Sequence, residues 1–205
     1  MAHHDGGPQH QVPEDIATDK RRYRKQRVVF LVRDPRDVLV SAYFQKTRRN
    51  ISFAGTLEEF IDTRRGSLES NIRFYNIWAE NRHVPREFLL VTYEDLHRDP
   101  IGELRKVLDF LGLEQVSDEA LKKAVEDGEF GNMRRLESEN ALRTGRLAPR
   151  DPHDLESYKT RRGVVGGYVD YLSADQIEHV DRVIREHLSP FYSFYITPPG
   201  QPGNA

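Results

Sequence analysis

Residues 27–49, with the sequence RVVFLVRDPRDVLVSAYFQKTRR, constrain the fold more than any other part of the chain. A run of apolar residues from Val28 to Val32 ends abruptly at Arg33. An uninterrupted apolar run of this length is typical of a buried strand in a parallel sheet. Since ligands in open α/β sheets bind outside the carboxyl ends of the strands, Arg33 is a candidate binding residue.

The residues after this strand predict a tight turn and then a helix over about 35–46. Asp34 offers a helix-capping oxygen, and Pro35 fits the first helical position. Asp37 stands where it would complete a capping-box-like pair with Asp34. Ser41 lies one helical turn beyond Asp37, so its hydroxyl and the strand-end guanidinium suit a phosphate group near the helix start.

The composition favours a single domain spanning residues 1–205. The chain is 37% hydrophobic and has a net charge of −2, so no global basic field attracts nucleic acid and we expect no such partner. The lack of cysteine excludes disulfides and thiolate metal sites, and it fits a reducing, cytoplasmic location. No apolar stretch approaches the ~20 residues of a transmembrane segment, and the first residues lack a signal-peptide core.

The remaining pattern predicts an α/β chain in which helices connect parallel strands. A polar segment covers 1–26, a second strand covers 88–92, and the tail from 198 to 205 should be loose. The segment 128–172 carries many Gly, Pro, Arg and Asp residues and little periodicity, which is typical of a functional or disordered region. Helices are expected over about 57–63, 67–81, 100–111, 117–128 and 173–188.

Four segments, in the expected order, resemble motifs of the sulfotransferases that use 3′-phosphoadenosine-5′-phosphosulfate (PAPS). They are RDPRDVLVSAYF from residue 33, FLLVTYEDLHRDPIGELRKVLDFLGL from residue 88, EFGNMRR from residue 129 and RRGVVGGY from residue 161. With the strand before the first motif, the resemblance spans about 27–172. It implies a P-loop-NTPase-like fold, with three α/β/α layers around a central parallel sheet.

The resemblance also implies roles for individual residues around the nucleotide. Arg33 and Ser41 fall where the family grips the 3′-phosphate. Arg161, Arg162 and Gly163 fall on a loop that closes over the same phosphate, and Arg162 replaces the more usual Lys with retention of charge. A phosphate dianion favours several charge-assisted donors, and glycine lets the backbone approach closely, so the chemistry agrees with these roles.

Two further roles follow from the resemblance. Phe130 and Met133 fall in the segment near the adenine, where apolar and polarizable contacts suit a purine, although both positions fit core packing equally well. His4 stands about where the family places the general base that deprotonates the acceptor, with His3 as the alternative. Imidazole is the side chain best suited to accept a proton near neutral pH.

One family element has no match in this sequence. The family begins with a strand and a loop rich in Gly, Ser and Thr, usually with a Lys, that cradles the 5′-phosphosulfate. No such loop is found, so we expect a domain that is N-terminally truncated relative to the family. Without the first strand, a sheet edge would be exposed, and the chain is expected to be able to associate with itself through that edge.

The resemblance implies an enzyme that moves a sulfuryl group from PAPS to a hydroxyl or amine, with His4 as base and no metal. The acceptor would be a small molecule, or a hydroxyl on a glycan or lipid. The alternative is an inactive nucleotide-binding module, or a fragment, that keeps only the 3′-phosphate half of the site. A P-loop phosphotransferase is disfavoured because GxxxxGK[ST] is absent and no Asp is clearly placed for magnesium.

Overall fold

Two parallel strands form the sheet in the computed structural model of the chain, which describes residues 7–141 and 148–196. Strand β1 is Arg27–Val32 and strand β2 is Glu87–Thr92, with Phe30 opposite Leu90 in the register. Both strands coincide with the predicted apolar runs to within one residue. Helices occupy the connection between them, which explains the parallel pairing that the sequence predicted.

Nine α-helices surround the sheet in the described residues. They are α1 (Pro35–Phe44), α2 (Leu57–Ile61), α3 (Leu68–Asn81), α4 (Tyr93–Arg98), α5 (Pro100–Leu111), α6 (Asp118–Asp127), α7 (Phe130–Ser138), α8 (Ala174–His187) and α9 (Ser193–Ile196). The first helix ends earlier than predicted because Gln45–Arg49 forms a π-helical turn. Within the described residues, no helix combines the length and apolarity needed to cross a bilayer.

Capping boxes stand at the start of two of the predicted helices. Thr56 and Glu59 form a capping box before α2, and Ser173 and Gln176 form another before α8. In each box the side chain of the first residue accepts from the N3 amide, while the N3 side chain accepts from the cap amide. These local bonds depend only on residues three positions apart, so the sequence alone could specify them.

The predicted pairing of Asp34 with Asp37 is wrong. Asp34 caps α1, with its carboxylate accepting from the Arg36 amide, but the Asp34 amide donates to Glu94 at 2.9 Å. Asp37 instead turns toward a loop late in the sequence, as described below. A carboxylate from another element therefore satisfies the cap amide, which leaves Asp37 available for a long-range contact.

The core lies between β1 and α3. The Trp78 ring centroid is 5.4 Å from that of Phe30 and 6.1 Å from that of Phe88, so aromatic rings cover this face of the sheet. On the other face, α5 lies against β2 and its end at Gly112 is beside the Arg27 guanidinium. Helices therefore flank both faces, in agreement with the predicted three-layer arrangement and with the P-loop-NTPase-like fold.

The β1 edge that faces away from β2 has no strand partner among the described residues. Val29 and Leu31 are 37% and 53% exposed, although both belong to an apolar strand. A cavity of about 750 Å³ runs along this strand. Self-association through this edge stays a prediction.

The interpretation of 128–172 as a stretch without clear elements is wrong, because α7 occupies its beginning. Phe130 and Met133 are 42% and 37% exposed, so this helix does not bury the apolar stripe that reveals most helices in a sequence. One buried residue of α7 is a carboxylate, Glu137. The helix is therefore held by polar contacts that hydrophobic periodicity does not reveal. The predicted loose tail, 198–205, lies outside the described residues.

Replacing Gly112 with alanine is expected to destabilise the protein by about 1 kcal/mol, because Gly112 ends α5 with φ +78°. Gly131→Ala is the matched control: its added Cβ would meet nothing within 4 Å in α7, so the better helix propensity of alanine should leave stability unchanged or raise it. Urea denaturation of both variants measures the difference. Equal midpoints would contradict the strained C-cap.

Candidate functional site

A cavity of about 300 Å³ opens at the carboxyl end of β1, and it brings together distant parts of the chain. All seven of the nucleotide-binding residues predicted within the described chain line it. They are Arg33, Ser41, Phe130, Met133, Arg161, Arg162 and Gly163. The predicted base, His4, lies outside the described residues, as does its alternative His3. We call this space the first cavity.

Arg33 is held in place by two tyrosines. The hydroxyl of buried Tyr75 accepts from the Arg33 amide at 3.0 Å and donates to the Arg33 carbonyl at 2.9 Å. The guanidinium lies 4.2 Å from the ring centroid of Tyr93, where the quadrupole of the ring attracts a cation. Burial raises the pKa of Tyr93, although the Arg33 charge opposes this change. The strand end and the side chain are therefore both fixed before any ligand binds.

Asp37 joins the two halves of the site. Its carboxylate, 2% exposed, accepts from Arg33 Nη2 at 3.1 Å. It also accepts from the amides of Gly166 and Tyr168, at 2.9 and 3.0 Å. In addition, Arg33 Nη2 donates to the Val164 carbonyl at 2.9 Å. This carboxylate thus connects the start of α1 with a loop more than one hundred residues later in the sequence.

A buried ionic cluster supports the start of α1. Arg36 is 0% exposed and donates to Asp181 of α8 at 2.5 Å, to Asp34 at 3.1 Å and to the Tyr195 carbonyl at 3.2 Å. Burial alone would lower the pKa of Arg36, but the adjacent Asp34 and Asp181 carboxylates raise it, so the guanidinium stays charged. Tyr195 donates to Glu94, the carboxylate that accepts from the Asp34 amide. The C-terminal helices therefore fix the turn that carries Arg33.

Ser41 presents an exposed hydroxyl to the cavity from α1. Within the described residues no hydrogen bond is recorded for this hydroxyl, whereas Thr47 on the following turn donates back to the Tyr43 carbonyl. Ser41 is therefore available to a ligand, while the local back-bond that serine often makes in helices is absent from the described structure.

Helix α7 positions the basic loop 159–163. Glu137 accepts from the amides of Lys159 and Thr160, at 2.5 and 2.7 Å, and from Arg49 at 3.1 Å. Arg134 donates to the Thr160 carbonyl at 2.5 Å and lies 3.5 Å from the Tyr158 ring centroid. Helix α7 thus does more than line the cavity, because its Arg134 and Glu137 hold the loop that carries Arg161 and Arg162.

The two loop arginines are each paired with a carboxylate. Arg161 is 3.0 Å from Glu156 and donates to the Tyr171 hydroxyl at 2.6 Å. Arg162 is 2.7 Å from Asp170, and its pKa is raised chiefly by hydrogen bonds to Tyr171 and Asp170. Each guanidinium keeps further N–H donors that these contacts do not use. Both arginines therefore retain donors for an anion in the cavity.

Gly163 allows an aromatic ring to pack against the loop. Its φ is +62°, and a Cβ at this position would lie 2.5 Å from the Phe130 ring. The ring itself is 42% exposed, and Met133 beside it is 37% exposed. Both side chains line the cavity, so core packing, the alternative that the sequence left open for them, is wrong.

The donor set of the first cavity fits a phosphate group. The Nε of Arg33 is buried and has no hydrogen-bond partner in the described structure, and a buried unsatisfied donor is costly unless a ligand satisfies it. Guanidinium groups and a free hydroxyl are the donors that phosphate oxygens prefer. Among the described residues, no group of His, Asp and Glu has the arrangement of a metal site.

Eight lining residues were not predicted from the sequence as part of the site. They are Asp37, Tyr93, His97, Gly128, Lys159, Thr160, Val164 and Gly167. His97 packs on Tyr93 with ring centroids 4.4 Å apart, so it belongs to the wall that supports Arg33. Lys159 and Thr160 directly precede Arg161 and Arg162. Their place beside these predicted residues could have identified them as part of the site. Asp37 gave no such signal, because the two loop amides that donate to it, those of Gly166 and Tyr168, lie far away in the sequence.

A second cavity of about 510 Å³ adjoins the first. Four residues line both spaces: Arg33, Ser41, Lys159 and Arg161. The second cavity continues from them along the outer face of α1 and the π-helical turn. A nucleotide phosphate in the first cavity and another molecule in the second would therefore meet at these four residues.

Comparisons with known proteins agree with this geometry. The family model described as "Sulfotransferase domain" matches residues 12–191. The chain is 30% identical over 187 residues to Sulfotransferase 2B1 of Rattus norvegicus, covering 89% of this chain and 54% of that protein. It is 26% identical over 191 residues to the 3-beta-hydroxysteroid sulfotransferase of Cavia porcellus, covering 90% and 62%. The chain thus spans little more than half the length of these relatives.

Solved structures show the same fold. A retinol dehydratase in complex with androsterone and the inactive cofactor PAP has a TM-score of 0.62 and 25% identity, covering 78% of this chain and 46% of that one. The mouse sulfotransferase SULT7A1 complexed with PAP has a TM-score of 0.61 and 23% identity, covering 78% and 57%.

Proposed function

The chain belongs to the sulfotransferase family, and we propose that it binds PAPS in the first cavity and transfers its sulfuryl group to a hydroxyl or amine of an acceptor. The acceptor would be a small molecule or the hydroxyl of a glycan or lipid. The similarity to the 3-beta-hydroxysteroid sulfotransferase and to the complex of SULT7A1 with PAP supports this class of reaction.

One observation carries the proposal. Arg33 and Arg161 are 128 positions apart in the sequence, yet they line the same two adjoining cavities. Ser41, Arg162 and Gly163 also line the first cavity. A shared pocket of guanidinium groups and a free hydroxyl matches the dianionic 3′-phosphate that distinguishes this nucleotide from ATP and ADP.

In this proposal the protein binds and orients rather than supplying covalent chemistry. Arg33, in the turn before α1, and Ser41, on α1, hold the 3′-phosphate. The loop with Arg161 and Arg162 closes from the other side. The side chains of Phe130 and Met133 contact the adenine. PAPS supplies the sulfuryl group when bound: the acceptor oxygen forms a bond to sulfur as the bond to the 5′-phosphate oxygen breaks. His4 takes the acceptor proton, a role that rests on the sequence resemblance. Orientation of this kind contributes much of the rate in group transfer.

Calorimetric titration with adenosine 3′,5′-bisphosphate tests the proposal. We expect binding that weakens as salt is raised, since the contacts are ionic. Arg33→Met should weaken binding roughly 10- to 150-fold, because a hydrogen bond to a charged group contributes about 1.5–3 kcal/mol. Arg135→Met, a change at an exposed residue of α7 paired with Glu139, is the control and should bind as the parent does. Equal affinity for adenosine 5′-monophosphate, or no effect of Arg33→Met, would contradict the assignment.

A second candidate function is nucleotide binding without transfer. The observation that favours it is that the seven predicted residues lining the first cavity are assigned to the 3′-phosphate and the adenine, and none of them to the transferred sulfuryl group. A sulfate-transfer assay beside the calorimetry separates the two functions. Turnover that is lost in His4→Ala supports the enzyme, whereas nucleotide binding with no turnover on any acceptor supports the binding module.

A further inference from the structure

The second cavity is lined mainly by cations. Its charged lining residues are five cations, namely Arg33, Lys46, Arg49, Lys159 and Arg161, and one carboxylate, Glu156. The chain as a whole has a net charge of −2. The positive charge of this cavity is therefore a local feature rather than a consequence of composition.

Nearby carboxylates pair with only some of these cations. Asp37, Glu137 and Glu156 form ion pairs with the three arginines. Within the described parts of the chain, no ion pair is recorded for the remaining two cations, Lys46 and Lys159. The cavity thus keeps a positive charge after its ion pairs are taken into account.

Lys46 lies in an unusual environment for an unpaired lysine. The residue is 7% exposed, and its ammonium group donates to the Arg65 carbonyl at 2.5 Å and lies 5.3 Å from the Phe60 ring centroid. An ammonium group has three N–H donors, so this one carbonyl leaves further donors available. Burial lowers the pKa of Lys46, and the charge of nearby Arg65 lowers it further. An anion bound in the cavity would oppose both effects, because it stabilises the charged ammonium group.

We infer that the second cavity holds the acceptor and that this acceptor carries an anionic oxygen group, which Lys46 and Lys159 bind. This inference rests on the proposed function, since it names the chemical class of the acceptor. The acceptor would then adjoin the bound nucleotide, since the two cavities share part of their lining. A neutral, wholly apolar acceptor would instead seal Lys46 away from water without a counter-charge, which is unfavourable.

Two probes that differ only in charge test the inference. The anion 4-hydroxyphenylacetate and the neutral 4-hydroxyphenylacetamide have nearly the same shape and the same phenol. Their dissociation constants are measured by ligand-observed NMR at neutral pH, with adenosine 3′,5′-bisphosphate filling the first cavity. We expect the anion to bind about 10-fold more tightly or better, as one charge-assisted contact predicts.

Variants of Lys46 assign this preference to the second cavity. Lys46→Met keeps the apolar stem and should abolish most of the preference, whereas Lys46→Arg keeps the charge and should retain it. Lys123→Met, at an exposed residue paired with Asp127, is the matched control and should change nothing. Equal affinities of the two probes, no binding of either, or a full preference in Lys46→Met would each overturn the inference.

The test also distinguishes the two proposals. Lys46 does not line the first cavity, so Lys46→Met should bind adenosine 3′,5′-bisphosphate normally. If that nucleotide fails to bind the parent protein, the proposed function has failed. Comparison of the two phenols on the nucleotide-free protein, with and without Lys46→Met, then still decides whether the cavity selects anions.

Discussion

Replacing Arg36 with methionine is expected to lower the free energy of unfolding by about 3–5 kcal/mol, because removal of one partner from a buried ion pair leaves an uncompensated charge. Arg36 is 0% exposed and bonds to both Asp34 and Asp181. Without the guanidinium, these two carboxylates, 5% and 8% exposed, would stay buried without their counter-charge. Urea or thermal unfolding, followed by circular dichroism, measures the loss.

A control variant and a double variant test whether the loss comes from the buried ion pairs of Arg36. Arg21→Met removes an ion pair with Asp19 whose arginine side chain is 83% exposed, and surface pairs contribute at most about 1 kcal/mol. Adding Asp181→Leu to Arg36→Met should recover part of the loss, because the second change removes one of the stranded charges. A loss from Arg36→Met no larger than that from Arg21→Met would contradict the structural role of the cluster.

The second large effect is expected at Asp37. Asp37→Ala removes the acceptor of three hydrogen bonds, from Arg33, Gly166 and Tyr168. Each buried donor left unsatisfied costs about 1–3 kcal/mol. We therefore expect adenosine 3′,5′-bisphosphate to bind at least roughly 10-fold more weakly, because Arg33 and the closing loop lose their shared anchor.

Amide hydrogen exchange distinguishes this role from a general loss of stability. The Gly166 and Tyr168 amides should exchange much faster in Asp37→Ala, while the amides of α3 should not change. Asp62→Asn, at an exposed residue paired with His179 on α8, is the control and should alter neither exchange nor nucleotide affinity. Unchanged protection of the Gly166 and Tyr168 amides would rule out Asp37 as the anchor of the loop.

The contacts of Asp34 and Asp37 show one limit of prediction from sequence. Asp37 stands three residues after Asp34, so local rules favoured a capping pair. In the folded chain, Glu94 from another element takes the cap amide instead. A carboxylate accepts from the Asp34 amide in the prediction and in the structure alike. Which carboxylate does so depends on the side chains that the tertiary fold brings near.

Helix α7 shows a second limit. Its apolar residues Phe130 and Met133 line a cavity, and its buried Glu137 binds loop amides. Hydrophobic periodicity reveals helices that bury an apolar stripe in the core. A helix that serves a ligand site and a polar loop lacks this stripe, so its pattern resembles that of an irregular segment.

The sequence by itself determined the parallel strands, most helix boundaries and the identity of the three arginines around the first cavity. These features depend on apolar runs, on caps a few positions apart, and on motifs in which each residue is recognisable from its neighbours. Only the tertiary structure decided how the segments meet: that Asp37 anchors the basic loop, that α7 positions it, and that a second cationic cavity adjoins the first. Such contacts form between residues far apart in the chain, and their energies depend on burial and distance, which no local pattern contains.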